Sequence, residues 1–324
     1  MRRREFITLL GGAAVAWPLA ARAQGKQKVF RVGALSPATA QLDSIRNIVL
    51  PELAKAGIIE GSNLVLDARS GSMEKLPQLA AEIVAANPDV VMAVSGAAIN
   101  AVKAASSTVP IVMSFSDYDP VAAGFAASFA HPGGNITGIA MLATVLDAKR
   151  LELLHEAVPA ARRIAVLMVS EIRHQSTLAA MRATATTDGI ELVPVYAELP
   201  ASYPRAFTAM RTAGAQALAI VAAPEFNRDA EILAAMATDT RLPTMCEWGH
   251  MAARGCLLGY GPVGTELWRR AGYYVSRILH GTAPGELPIE TPTHFEFVVN
   301  SKTAKQLVLT IPTSVLLRAD EVIE

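Results

Sequence analysis

The sequence predicts an α/β protein with two doubly wound parallel-sheet lobes joined by a multi-strand hinge. Short runs rich in valine, isoleucine, leucine and alanine alternate with amphipathic helical stretches, the pattern of parallel sheets covered by helices on both faces. This alternation occurs twice along the 324 residues. A polar, proline-rich stretch and one further strand follow the second unit, so we expect the chain to cross between the lobes more than once.

The first unit alternates regularly from its first strand onward. Strands are expected over residues 29–36, 63–70, 89–95, 110–115 and 136–141. Helices are expected over residues 44–57, 76–88, 97–107 and 120–130. Pro51 predicts a kink in the first helix, and Pro120 suits the first turn of the last one.

The second unit repeats the pattern. Strands are expected over residues 163–170, 191–197, 217–223, 243–248 and 256–261, with helices over 146–159, 177–189, 204–215, 227–240 and 264–281. The late strand 295–300 and helix 302–309 are surplus to this unit. We therefore assign residues 24–142 plus about 262–290 to lobe 1, and residues 143–261 plus about 291–324 to lobe 2. A hinge with several crossings permits rigid-body closure.

The N-terminal stretch reads as an export signal over residues 1–23. Arg2 to Arg4 precede the mostly apolar run from Ile7 to Leu19, which is too short to span a bilayer of ~30 Å. A small-x-small site ends at Ala23, where we expect cleavage. The paired arginines also fit the twin-arginine export pattern. We therefore expect the mature chain to lie in the periplasm.

Charge and hydropathy exclude some partners. Loss of Arg2 to Arg4 and Arg22 with the leader leaves 25 basic residues, and loss of Glu5 leaves 28 acidic ones. The mature net charge is then about −3, with no basic stripe, which argues against a nucleic-acid partner. After the leader, no run reaches the ~18 apolar residues of a membrane span. We expect a monomer.

The two cysteines, Cys246 and Cys256, lie in no metal or redox spacing. A periplasmic location permits a disulfide, provided that neighbouring strands bring the two Cα atoms together. Two buried thiols that pack as small hydrophobic groups are the interpretation that the sequence favours.

Candidate ligand residues follow the predicted strands, because ligands of parallel sheets bind beyond the carboxyl ends of the strands. Small hydroxyls at a helix start suit a carboxylate, acidic side chains suit an ammonium, and aromatic rings suit an apolar body. The predicted ligand residues are Ser36, Pro37, Ser95, Gly96, Asp117, Tyr118, Arg173, Glu225, Glu247 and Tyr260. The same patterns also fit simpler roles, since Ser36 and Ser95 are ordinary helix caps and Arg173 suits a solvated loop.

Motifs for catalysis are weak. There is no Gly-x-Ser-x-Gly elbow, and the first strand is not followed by the glycine-rich turn of a dinucleotide site. Ser72 and Lys75 match a Ser-x-x-Lys spacing, but so short a match is frequent by chance. No pair of histidines with a carboxylate falls at metal-ligand spacing. We predict neither an enzyme nor a cofactor or metal.

Several stretches carry a family resemblance. They are HPGGNITGIA, DAKRLELLHEAVP, LLGYGP, the run from Arg269 to Leu307 and IPTSVLLRADEVIE. Together with RVGALSP and SDYDPVAAGF, they resemble the substrate-binding proteins of ABC transporters, in the tryptophan/tyrosine-binding-like subfamily. The resemblance implies a type I periplasmic-binding-protein fold with a venus-flytrap cleft and no catalysis.

The resemblance also bears on individual positions. Ser36, Pro37, Ser95, Gly96 and Asp117 match ligand loops of the first lobe. Glu247 and Tyr260 match loops of the second lobe that face the cleft. Arg173 and His174 stand where many relatives carry an Asn-Pro loop, which raises the prospect of an organic acid as the ligand.

The leading hypothesis is a periplasmic receptor that captures a small carboxylate-bearing solute, either an amino acid or an aromatic or organic acid. An ABC permease in the inner membrane would be its partner. A ligand-sensing domain for a membrane receptor remains open, because the sequence does not separate sensing from transport. An α/β enzyme is the third and weakest hypothesis.

Overall fold

The strands of the protein form two separate sheets in a computed structural model that describes residues 28–116 and 119–324. Over these residues, one sheet has five strands and the other has seven. The predicted leader, Asp117 and Tyr118 lie outside the described residues. The predicted α/β fold class with two mostly parallel sheets is confirmed.

The first sheet comes from the N-terminal part of the described chain. Its strands are β1 (Phe30–Ser36), β2 (Leu64–Ser70), β3 (Val90–Val94), β4 (Ile111–Ser116) and β5 (Ile136–Ala140). They pair in parallel in the order β2-β1-β3-β4-β5. Every residue of β3 is buried, as expected for a central strand covered on both faces. The carboxyl ends of these strands therefore meet at one edge of the sheet.

Helices connect these strands: α1 (Thr39–Ser44), α2 (Leu50–Lys55), α3 (Leu76–Ala85) and α4 (Gly96–Ala105). A π-helical stretch, Ile45–Val49, joins α1 to α2. The irregularity therefore directly precedes Pro51, which has no N–H to donate to the preceding helical turn.

The predicted helix over residues 120–130 is wrong, because this stretch forms turns. Gly124 takes a left-handed conformation with φ of +68°. The N–H groups of Phe125 and Ala126 both donate to the carbonyl of Pro120, which closes a turn instead of continuing a helix.

The second sheet collects the remaining strands. They are β6 (Arg163–Met168), β7 (Glu191–Tyr196), β8 (Ala217–Ile220), β9 (Thr244–Cys246), β10 (Leu258–Pro262), β11 (Phe295–Asn300) and β12 (Glu321–Ile323). Their order is β12-β11-β10-β9-β8-β6-β7, and only the β10/β11 pair is antiparallel among the described strands.

The helices of the second half are α5 (Ala143–Ala157), α6 (Glu171–Asp188), α7 (Tyr203–Thr212), α8 (Pro224–Arg228), α9 (Ala230–Asp239), α10 (Gly249–Ala253), α11 (Gly264–Leu279), α12 (Ser301–Gln306) and α13 (Thr313–Leu316). The loop expected around Arg173 and His174 is wrong, since both lie at the start of α6. Ser170 caps this helix, and its hydroxyl accepts from the N–H of Arg173 at 3.3 Å. The helix bends at His174, whose φ of −116° is not helical.

The chain crosses between the two sheets more than once. It leaves the first sheet after β5, returns through α11, which packs on β3, β4 and β5, and leaves again to form β11. Two of the crossings are hydrogen-bonded to each other, because the N–H of Val263 donates to the carbonyl of His294 at 3.1 Å. We use lobe 1 for the first sheet with its helices and α11, and lobe 2 for the second sheet with its helices. The exact lobe boundaries given above stay a prediction.

The preference for two free thiols is wrong, because Cys246 and Cys256 form a disulfide. Cys246 ends β9, and Cys256 lies two residues before β10, the strand that pairs with β9. The adjacency of the two strands holds the Cα atoms 6.6 Å apart, within the range that a disulfide spans.

A buried arginine on α5 holds the ends of two strands of the second sheet. The guanidinium of Arg150 pairs with the carboxylate of Asp147 at 2.7 Å, and both side chains are 2% exposed. Its Nε donates to the carbonyl of Tyr260 at 2.7 Å, and its Nη2 donates to the carbonyl of Glu247 at 2.9 Å. Burial raises the pKa of Asp147, and the Arg150 charge opposes this rise. We call this group the Arg150 clamp.

Arg150→Met should lower the free energy of unfolding by about 3–5 kcal/mol, because it leaves the Asp147 carboxylate buried without its counter-charge. The double variant Asp147→Asn/Arg150→Met should lose less, since no charge then remains buried. Urea denaturation measures both values.

Lys149→Met is the matched control, because the neighbouring Lys149–Glu152 pair is about 40% exposed on both sides. Its effect should stay within about 0.5 kcal/mol. A loss in Arg150→Met no larger than that of the control would show that the clamp does not stabilise the fold.

Candidate ligand-binding site

A cavity of about 800 Å³ lies between the lobes at the carboxyl ends of the strands. Both lobes line it, and α11 of lobe 1 lines it on the hinge side. The lining residues are Pro37, Ala38, Thr39, Ala40, Gln41, Ser44, Ser95, Phe115, Ala223, Pro224, Asn227, Arg228, Glu247, Trp248, His250, Arg254, Gly264 and Trp268. We call it the first cavity.

Three aromatic rings form one wall of the first cavity. Phe115 of lobe 1 lies 4.5 Å from Trp268 of α11 and 5.9 Å from Trp248 of lobe 2, measured between ring centroids. The imidazole of His250 stacks on Trp248 at 6.1 Å. The wall thus combines residues of both lobes, and it offers flat apolar surfaces to a ligand.

Lobe 1 adds the start of helix α4. Ser95 is the cap residue, and its hydroxyl accepts from the N–H of Ala98 at 3.4 Å. Its φ of +88° is unusual for a residue other than glycine, and Phe115 is similarly unusual at +57°. Such backbone strain concentrates at binding sites. The first N–H groups of the helix and its positive end favour an anionic group here.

Lobe 2 adds charged side chains. Glu247 lines the cavity and is 7% exposed. Arg228 pairs with Asp229 at 2.8 Å, and Arg254 donates to the carbonyl of Asn227 at 3.2 Å. The cavity therefore carries both an acidic and two basic side chains, which suits a ligand with both charges.

His250 is held by Asn227, since its Nε2 lies 2.8 Å from the side-chain oxygen of Asn227. Desolvation by the cleft walls, with a smaller effect from Arg254, lowers the pKa of His250. The imidazole is therefore neutral at pH 7 and adds no positive charge to the cavity.

Gly259 and Gly261 of β10 lie in close contact with the backbone of Glu247 and Trp248, and we call this pair the glycine floor. A Cβ atom on Gly259 would lie 2.3 Å from the carbonyl oxygen of Trp248, and one on Gly261 would lie 2.2 Å from that of Glu247. Only residues without a side chain allow this close approach. The glycine floor and the Arg150 clamp thus fix the backbone that carries the acidic and aromatic groups.

A second cavity of about 530 Å³ also lies between the lobes. Arg173, His174 and Thr177 of α6 line it opposite Asp119 and Ala122 of lobe 1. Arg173 is already paired with the carboxylate of Glu225 at 2.8 Å. The other carboxylate oxygen of Glu225 is buried and has no hydrogen-bond partner within the described part of the chain.

The predicted ligand residues are distributed as follows. Pro37, Ser95 and Glu247 line the first cavity, and Arg173 lines the second. Gly96 is buried behind Ser95. The roles of all these residues in ligand binding stay predictions.

Three predicted positions lie away from the cavity surfaces. Ser36 is buried, and its hydroxyl is engaged by Ala38 and Gln41 within the first loop. Tyr260 stacks on Phe295 at 5.7 Å, and its carbonyl belongs to the Arg150 clamp. Glu225 is the ion-pair partner of Arg173.

Sequence reasoning did not identify Trp268, Arg228 or Arg254 as cavity residues. Trp268 lies in the second turn of α11, and the hydrophobic face of a helix gives no sign of a cleft. Arg228 ends α8, and Arg254 follows α10, short helices that the sequence pattern does not separate from loops.

No helix within residues 28–116 and 119–324 is long and apolar enough to cross a bilayer. The described residues also contain no group of three or more His, Cys, Asp or Glu side chains placed to hold a metal ion.

The model of a protein family described as ABC transporter substrate binding protein matches residues 38–323. The chain belongs to this family. The match covers the whole second sheet and every strand of the first sheet except β1, and it confirms the family resemblance of the sequence.

One curated relative is the tyrosine-binding protein of Clostridioides difficile (strain R20291). It is 24% identical over 272 residues, which cover 82% of this chain and 77% of the relative. The family and this relative are binding proteins, in agreement with the binding role that the sequence predicts.

Solved structures show the same fold. A conserved domain protein from Vibrio cholerae O1 biovar eltor is 26% identical with a TM-score of 0.83, covering 91% of this chain and 100% of that one. An ABC domain from Streptococcus pneumonia in complex with L-Trp is 22% identical with a TM-score of 0.81 at the same coverages. A ligand-free, open substrate-binding protein from Clostridium difficile is 22% identical and has a TM-score of 0.67. The match covers 91% of this chain and 99% of that one. The type I periplasmic-binding-protein fold is thereby confirmed.

Gly261→Ala should destabilise the fold by about 1–3 kcal/mol, because its methyl group would overlap the carbonyl of Glu247. Gly134→Ala is the matched control, since a Cβ there meets no described atom within 4 Å. Thermal unfolding compares the two. Equal melting temperatures for both variants would contradict the tight packing of the glycine floor.

Proposed function

We propose that this protein is the solute-binding component of an ABC importer and that it captures an aromatic amino acid in the first cavity. The predicted export signal supports action in the periplasm, where an inner-membrane permease would receive the closed, loaded form. Membership of the substrate-binding family supports the transport role, and the tyrosine-binding relative supports the ligand class.

The observation that carries the proposal is the composition of the first cavity. An aromatic wall, a carboxylate and the start of a ten-residue helix all line one space. An aromatic amino acid needs these same three partners, one for its ring, one for its ammonium and one for its carboxylate. Its ring would pack against Trp248 and Trp268, its ammonium would pair with Glu247, and its carboxylate would bind at the start of α4.

Closure follows from the distribution of these groups. Ser95 and Phe115 belong to lobe 1, whereas Glu247 and Trp248 belong to lobe 2. A ligand makes all its contacts only when the lobes are together, so binding energy shifts the population toward the closed form. The permease would then distinguish loaded from empty protein by the relative position of the lobes.

An aromatic acid without an ammonium is the second candidate ligand. Among the described residues that line the cavity, Arg228 and Arg254 are basic and Glu247 is acidic. Because Arg228 is already paired with Asp229, Arg254 is the cation that lacks an ion-pair partner within the described residues. The two ligand classes differ in their need for Glu247.

The protein's own tryptophans report binding. Of its three tryptophans, Trp17 lies in the predicted leader, and the other two, Trp248 and Trp268, line the first cavity. Phenylalanine, tyrosine, tryptophan and indole-3-acetate should be titrated by calorimetry, with intrinsic fluorescence as a second readout for ligands that do not emit themselves. We expect saturable binding of at least one aromatic L-amino acid with one-to-one stoichiometry.

Glu247→Gln should weaken binding of that amino acid by about 10- to 100-fold, because it removes the charge opposite the ammonium. Glu156→Gln is the matched control, since Glu156 pairs with Arg318 at the surface, away from the cavity. It should bind like the unaltered protein.

The Glu247→Gln variant also distinguishes an aromatic amino acid from an aromatic acid as the ligand. If indole-3-acetate binds tightly and Glu247→Gln strengthens its binding, the ligand is an aromatic acid. If no aromatic amino acid or acid binds, the proposed function is wrong.

A further inference from the structure

The disulfide closes a segment that carries much of the second-lobe half of the first cavity. Between Cys246 and Cys256 lie nine residues, which include helix α10. Four of them line the cavity: Glu247, Trp248, His250 and Arg254. We call residues 247–255 the cleft segment.

The two ends of the cleft segment are anchored to different parts of the protein. Its beginning is held by Arg150 of α5, which binds the carbonyl of Glu247. Its end is held by Asn300, which donates to the carbonyl of Ala252 at 2.8 Å, and by Thr303, which donates to that of Gly255 at 3.0 Å.

These anchors start at different crossings of the hinge. Helix α5 begins directly after the first crossing, which follows β5, and β11 begins after the last crossing. The two ends of the cleft segment are therefore held by separate elements of lobe 2. The disulfide is the covalent link that keeps the two ends together, independent of those elements.

We infer that Cys246 and Cys256 are positioning residues of the ligand site, and that their disulfide holds the cleft segment in its binding arrangement before the ligand arrives. This inference rests on the proposed function only for the identity of the ligand. Preorganisation of this kind raises affinity by removing the entropy cost of ordering the site on binding.

The disulfide between Cys246 and Cys256 is shielded from solvent. Both cysteines have 0% exposed surface, so a reductant reaches the sulfur atoms only when the segment opens. The pair is therefore replaced genetically in the test, by the double variant Cys246→Ala/Cys256→Ala, which keeps two small apolar side chains in place.

The first readout is the kinetics of ligand binding, measured by stopped-flow fluorescence with the aromatic amino acid that binds the unaltered protein. If only a fraction of the variant holds the competent arrangement, the apparent association rate falls to that fraction of its original value while the dissociation rate stays the same. We expect the association rate to fall about tenfold, since Arg150, Asn300 and Thr303 still hold part of the segment. A lost contact, as in Glu247→Gln, raises the dissociation rate instead.

The second readout needs no ligand. Hydrogen exchange of the cleft-segment amides should become faster in the double variant, while exchange in β7, at the far edge of the same sheet, stays unchanged. Val195→Ala is the matched control, because it removes buried apolar contacts from β7. It should lower the melting temperature without changing the association rate or the exchange of the cleft segment.

The two experiments test the positioning role of the disulfide separately from the proposed function. Unchanged exchange of the cleft segment, or an unchanged association rate where a ligand binds, would overturn the positioning role and leave the proposed function intact. If the unaltered protein binds no aromatic ligand, the proposed function fails, and the exchange experiment alone decides the positioning role.

Discussion

The buried ion pair between Arg150 and Asp147 is the interaction on which the geometry of the cleft depends. A guanidinium removed from water needs a counter-charge and hydrogen-bond acceptors, and it finds them in Asp147 and in the carbonyls of Glu247 and Tyr260. The carbonyl of Glu247 directly follows β9, and that of Tyr260 lies within β10. The requirement to satisfy one buried charge therefore fixes the strand ends where the ligand residues begin.

The Arg150 clamp also explains how the residues of lobe 2 are arranged in the first cavity. The clamp sets the carbonyl of Glu247, and the glycine floor lets the backbone of Glu247 and Trp248 lie directly on β10. Lobe 1 contributes groups of a different kind, a strained Ser95 at a helix start and a strained Phe115 at a strand end. A ligand that bridges the two halves would couple a rigid surface on one lobe to a strained one on the other, which suits a protein that closes on its ligand.

The sequence predicts the sheets and their helices well, because periodic burial of apolar residues is a local signal. It also predicts that Ser95 and Glu247 face the cleft, because the residues that follow parallel strands meet at one edge of a sheet. It does not predict the helical start of α6, because Ser170 caps a helix that bends at His174. The sequence does not predict that Trp268 lines the cavity, because its position there depends on how α11 packs against the rest of the protein. It does not predict the disulfide either, because the contact between the two cysteines depends on the pairing of β9 with β10.

We propose that the first cavity, between the lobes, holds one aromatic amino acid. A crystal structure of the protein with the amino acid that binds most tightly tests this claim most directly. We expect the ligand ring to pack against Trp248 and Trp268, and the ligand ammonium to lie within hydrogen-bond distance of the Glu247 carboxylate. Density for the ligand in the second cavity beside Arg173, or contacts to one lobe alone, would contradict it.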